Sequence, residues 1–191
     1  MNSLINKNID TSIAGSNPDD LILKLKNEDA RNLRISKNFQ WIYWILIPIY
    51  AGFFILNPDD ELNLLSRISG ACYVVSFIIF AFIFRKSVKE YKAIDYSLPT
   101  LEMMKQAVKR YHLWQPRLLW ALLSVLFIDA GLIFSGIEFV DAASFLNRFL
   151  WIQATFLPAI GISFGIGVLI WSKRQKPLRD QALRIIKELI E

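Results

Sequence analysis

The chain has 191 residues, 54% of them hydrophobic and 14% aromatic, and the apolar residues gather in blocks rather than spreading as in an ordinary soluble domain. Its net charge is +5, but the 22 Lys and Arg residues flank those blocks, so anionic lipid headgroups account for them and no nucleic-acid partner is implied. A lone cysteine, Cys72, excludes an internal disulfide, and a lone histidine, His112, excludes a zinc or haem site built by this chain by itself.

Residues 1–16 have no apolar core and no cleavage-type ending, which predicts a disordered lead rather than a signal peptide. A helix is then expected over about 17–38. Asn17 can cap it, Pro18 suits its first turn, and Asp19 and Asp20 favour the positive end of its dipole. Four apolar runs follow, at about 39–56, 66–84, 118–137 and 150–171. At about 1.5 Å per residue each can cross a hydrocarbon core roughly 30 Å thick, the first by a narrow margin. Between the second and third runs, residues 97–114 place Leu101, Met104, Val108 and Tyr111 on one stripe at helical spacing. The tail, 172–191, repeats the device with Leu178, Ala182, Ile185 and Leu189, and its Asp180–Arg184 and Arg184–Glu188 pairs lie four residues apart. The pattern predicts an all-α integral membrane protein with four transmembrane helices and three amphipathic helices. Those helices can lie on lipid or on each other, or the tail stripe can fill a groove in a protein partner.

Charge sets the expected orientation. Of the Lys and Arg residues, all but Arg67 and Arg148 fall in three segments: before the first span, between the second and third, and after the fourth. By the positive-inside rule both termini and the central segment are cytoplasmic, and the chain is a multi-pass protein of a cell (inner) membrane. The short loops on the other side carry acids, in NPDDELN and IEFVDAA.

Two spans, a basic loop, two spans and a basic tail also suggest a 2+2 parallel repeat. Sliding the chain by 81 residues sets Pro18 on Pro99, Asp60 on Asp141, Leu65 on Leu146 and Arg67 on Arg148. Such a repeat has its pseudo-twofold axis along the membrane normal. The register puts Asp129, the one acid inside a span, opposite Pro48, about 12 Å from the outer end of its helix. Ser76 and Pro158 fall near the same level. Each proline frees the carbonyl four residues earlier, of Trp44 or Ala154, and a freed carbonyl in lipid needs a donor. Hydrocarbon disfavours a carboxylate anion, and a neutral carboxyl can donate. Asp129 is therefore expected to tie helices together by bonding a freed carbonyl, Ser76 or Tyr50. The rival expectation is an intramembrane proton or cation site.

In the fourth span Gly161 and Gly165 form one small-residue set, with Ser163 and Gly167 on nearly the opposite side. Small residues let helices approach closely, and Gly131 and Ser135 are the expected partner face. No nucleophile–base pair, phosphate loop or dinucleotide fingerprint can be assembled, and no cofactor, metal or catalytic residue is expected. The reading that follows is a non-enzymatic accessory or regulatory subunit that docks a partner through its cytoplasmic helices. The alternative is a small transporter or channel formed as a homo-oligomer around Asp129.

Overall fold

A computed structural model describes residues 18–58, 62–135 and 145–191; the expected lead at 1–16, and Asp60 and Asp141 of the repeat register, lie outside them. The described chain consists of helices and short connections, without strands: α1 (Pro18–Tyr50), a π-helical turn (Ala51–Ile55), α2 (Leu64–Lys92), α3 (Thr100–Arg110), α4 (Pro116–Phe134) and α5 (Phe145–Glu188). Four of these helices are long and apolar enough to cross a membrane: α1 with its π turn, α2, α4 and α5. At 19 residues α4 is the shortest, about 28 Å.

Two junctions read as breaks in the sequence are continuous helix. The expected 17–38 helix and the first span are both part of α1, and the fourth span and the tail are both part of α5. Pro158 and Pro177 lie within α5 without ending it. A proline removes one backbone bond, and the bonds on either side of it can hold the helix together. Pro48 sits in the last turn of α1, directly before the π turn, where Leu56 N–H bonds back five residues to the Ala51 carbonyl at 2.9 Å.

The chain forms two compact units. The span unit comprises residues 32–93 and 114–168. In it α1 and α2 run antiparallel and meet through rings. Phe39 stacks on Phe84 at 5.2 Å, Tyr43 on Phe80 at 5.1 Å, and Tyr50 meets Phe77 edge-on at 4.9 Å. Such pairs each contribute about 0.5–1.5 kcal/mol beyond the area they bury. The other side of α2 meets α4 through small residues. Ser69, Ser76 and Ser87 are buried on α2, and Ser124 and Gly131 on α4. Ser69 Oγ donates to the Gly131 carbonyl at 2.7 Å, and at the far end Arg117 Nη1 donates to Ser87 Oγ at 3.3 Å. A Cβ on Gly131 would lie 2.6 Å from the Tyr73 ring, so only glycine admits this approach.

The second unit is built from residues 18–31, 94–113 and 169–191, three segments far apart in sequence. Its core is Leu21 and Leu25 of α1, Met103, Met104 and Ala107 of α3 with Tyr111 just beyond it, and Ala182 and Ile185 of α5. Burying such stripes against each other is the alternative to laying them on lipid. It also engages the tail stripe that the sequence offers for docking. Ala182 and Ile185 are buried and Leu178 packs against the same core, so three of the four expected docking residues are occupied within the chain. Only Leu189 is open, at 54% exposure.

Candidate functional site

The most constrained polar group in the described chain is one that sequence reading passed over. Asp29 lies on the face of α1 that follows Leu21 and Leu25 at four-residue spacing, and it is 3% exposed. Its carboxylate accepts three bonds: from Tyr111 Oη at 2.7 Å on one oxygen, and from Tyr96 Oη at 2.9 Å and Arg110 Nη2 at 3.0 Å on the other. A buried carboxylate is tolerable only when a cation and further donors replace its water, and here both conditions are met. Each donor is placed by local structure. Asp95 accepts from the Ser97 backbone N–H at 2.8 Å and from Ser97 Oγ at 2.7 Å, which folds the turn that carries Tyr96. Those two bonds hold the Asp95 carboxyl below its ordinary value. Arg110 ends α3 and Tyr111 caps it, the Tyr111 N–H bonding the Ala107 carbonyl at 3.0 Å.

The third segment joins through the same residue. Trp171 Nε1 donates to the Tyr111 carbonyl at 2.9 Å, and the Arg179 guanidinium lies 5.4 Å from the centre of the Trp171 ring. Glu28, next to Asp29, takes Arg31 at 2.9 Å and Arg174 at 3.8 Å. A chain of polar contacts thus runs from α1 through Tyr111 to α5.

Burial raises the Tyr96 phenol above its ordinary value, and the negative Asp29 beside it raises it further. A raised folded-state value favours the protonated phenol in the fold, so its contribution is complete below the unfolded value near pH 10.0 and is lost as pH rises above that. Thermal stability is expected to decline above pH 10 more steeply in the wild type than in Tyr96→Phe. Melting curves of both in detergent at pH 8 to 11 check it.

Asp129, the residue singled out by sequence, is half-buried on α4 and accepts a bond from Gln153 Nε2 of α5 at 2.7 Å. The observed partner is thus neither Ser76, Tyr50 nor a proline-freed carbonyl. Asp129 lies five residues before Phe134, the last residue of α4, and Gln153 lies in the third turn of α5. Gln153 is the one side-chain amide inside the fourth span, the signal that could have identified it. Ser76 is buried in the α2–α4 seam, and its hydroxyl has no hydrogen-bond partner among the described residues. Pro48 and Pro158 are exposed.

The small residues divide. Gly131 is buried against Tyr73, and Ser135 Oγ bonds the Leu132 carbonyl of its own helix at 2.9 Å. Around Gly161, Gly165 and Gly167 a Cβ would meet nothing within 4 Å, and Ser163 Oγ bonds the Ala159 carbonyl of its own helix at 2.8 Å. Gly131 and the α5 set are therefore not packed on each other as expected. Among the described residues no three His, Cys, Asp or Glu side chains gather where they could hold a metal.

The geometry defines a helical protein with four potential membrane spans and a three-segment unit fixed around a buried aspartate. Against known proteins, no family model, curated protein or solved structure matches the chain.

Proposed function

We propose that this chain is a non-enzymatic accessory or regulatory subunit of the bacterial inner membrane, with both termini on the cytoplasmic side. The orientation rests on the three basic segments, which hold all the Lys and Arg residues except Arg67 and Arg148. The observation that carries the role is the Asp29 clamp. It ties residues 18–31 to residues 94–113, Trp171 bonds the third segment to the Tyr111 carbonyl, and the body they form, with its own core, is a ready-made surface for a partner. The amphipathic stripes of those segments serve the body itself, so a partner meets what is left outside: Leu23, Leu183 and Leu189, set among charges. The 2+2 repeat belongs to the same reading. Pro18 and Pro99 stand at the starts of α1 and α3, and Asp29 and Arg110, paired at 3.0 Å, are 81 residues apart. Residues beside a twofold axis meet their equivalents in this way.

The test is to tag the C-terminus, extract the protein from its native membrane in mild detergent, and determine mass and composition. A stoichiometric foreign subunit whose capture falls with Leu189→Glu supports the accessory role. A homo-oligomer with nothing attached sinks it.

A second reading is favoured by Asp129, an acid inside a span held by one uncharged donor. Here several copies assemble as a transporter or channel in which Asp129 takes and releases a proton or cation. It predicts that Asp129→Asn abolishes flux in liposomes while the protein stays folded. If Asp129 is only a tie to Gln153, the variant loses about 1 kcal/mol of stability at most.

A further inference from the structure

A cavity of about 400 Å³ lies where α2 leaves its apolar run and α4 begins. Its walls divide by chemistry. Ile79, Phe82, Ile83 and Trp120 form an apolar gutter, while Lys86, Ser87, Glu90, Gln115 and Arg117 gather at the other end. The division follows from sequence: Arg85 and Lys86 directly follow the second apolar run, and Arg117 directly precedes the third. The two helices are antiparallel, so both polar borders come to one level. Arg117 is held by its bond to Ser87 Oγ at 3.3 Å, and Ser87 Oγ itself donates to the Ile83 carbonyl at 3.1 Å. Neither Lys86 nor Arg117 has a carboxylate within ion-pair distance among the described residues. Two cations, a serine hydroxyl and an amide thus stand at the head of an apolar trough.

The geometry points to a binding site for one anionic phospholipid. The phosphate group is held between Lys86 and Arg117, and an acyl chain lies along Ile79, Ile83, Phe82 and Trp120. Charge complementarity selects this occupant. A zwitterionic lipid brings a positive group that the two cations repel, and an apolar helix from a partner leaves them without a counter-charge. Glu90 opposes the phosphate, so the preference for an anionic lipid is set by two attractions against one repulsion. Each such charge near the membrane surface contributes about fivefold, the ratio that about 1 kcal/mol gives. The net expectation is roughly a fivefold preference for phosphatidylglycerol over phosphatidylcholine.

The test is native mass spectrometry of the full chain in detergent micelles titrated with phosphatidylglycerol or phosphatidylcholine. One retained phosphatidylglycerol per chain, with that preference, is expected. Lys86→Gln should bring the two lipids to about equal retention, and Glu90→Gln should widen the preference to about 25-fold. Lys86 and Glu90 are both exposed, so neither change disturbs the core. Opposite effects from two side chains one helical turn apart are not what a general loss of fold produces. A control, Arg85→Gln with Lys89→Gln, removes two charges from outside the cavity lining and should leave the preference in place. Equal retention by the wild type, a preference narrowed by Glu90→Gln, or an equal loss in the control would each overturn the site. Displacement of the lipid by millimolar glycerol phosphate would also overturn it, since the apolar gutter would then contribute nothing.

Discussion

Replacing Asp29 with alanine is expected to cost about 3–5 kcal/mol, the usual consequence of removing one partner of a buried ion pair. The reason lies in what remains. Arg110, whose side chain is 16% exposed, keeps its charge, and the Tyr96 and Tyr111 hydroxyls lose their acceptor together. Each of the three groups thus loses a bond made inside the small unit. Asp29→Asn keeps the shape and one acceptor oxygen but removes the charge, so its cost should fall between alanine and wild type. Hydrogen exchange locates the effect. Residues 18–31 and 100–110 should lose protection, while the α2–α4 seam in the span unit keeps its own. Uniform loss across both units would show that Asp29 does not act locally.

Gly70→Ala is expected to destabilise the span unit by about 1–3 kcal/mol, the usual cost of overpacking. A Cβ built on Gly70 overlaps Phe54 Cβ and Cγ. Phe54 belongs to the π turn, and its Cβ cannot swing away as the tip of a side chain can, so the backbone of that turn must move. Gly161→Ala provides the contrast. Its added methyl meets nothing within 4 Å, and alanine favours a helix over glycine by about 1 kcal/mol in soluble hosts. Melting temperatures in one detergent should separate the two variants by several degrees. If Gly161→Ala instead lowers oligomer mass without lowering monomer stability, its open face is an interface between copies of the chain.

The spans were legible because hydrocarbon demands a long uncharged run, a demand visible residue by residue. The stripes of 97–114 and the tail were legible for a similar reason, since helical spacing displays them. What they pack against was not. Periodicity shows that Ala182 and Ile185 share a face, but lipid, a partner and Leu21 all satisfy such a face equally well. Asp29 was hidden more deeply, because NEDARNLR reads as a solvated turn of helix and its three partners lie 67, 81 and 82 residues away. A trace was present all the same: the 81-residue slide sets Asp29 on Arg110, opposite charges at matching positions. Gln153 was missed although it is the one side-chain amide in the expected fourth span, because position along a helix does not show which neighbouring helix a side chain faces.

The core around Leu21 has a consequence for the order of events during synthesis. Its first contributors, Leu21 and Leu25, emerge from the ribosome early, while Ala182 and Ile185 emerge more than 150 residues later. At about 5–20 residues per second that interval is some tens of seconds at most, a long time for bare leucines. Through it the first helix must rest on something else, either the membrane surface or a chaperone. All four long apolar helices have begun to emerge before Ile185 arrives, so the core of the small unit is completed late, and a chain cut short before Ala182 lacks part of it.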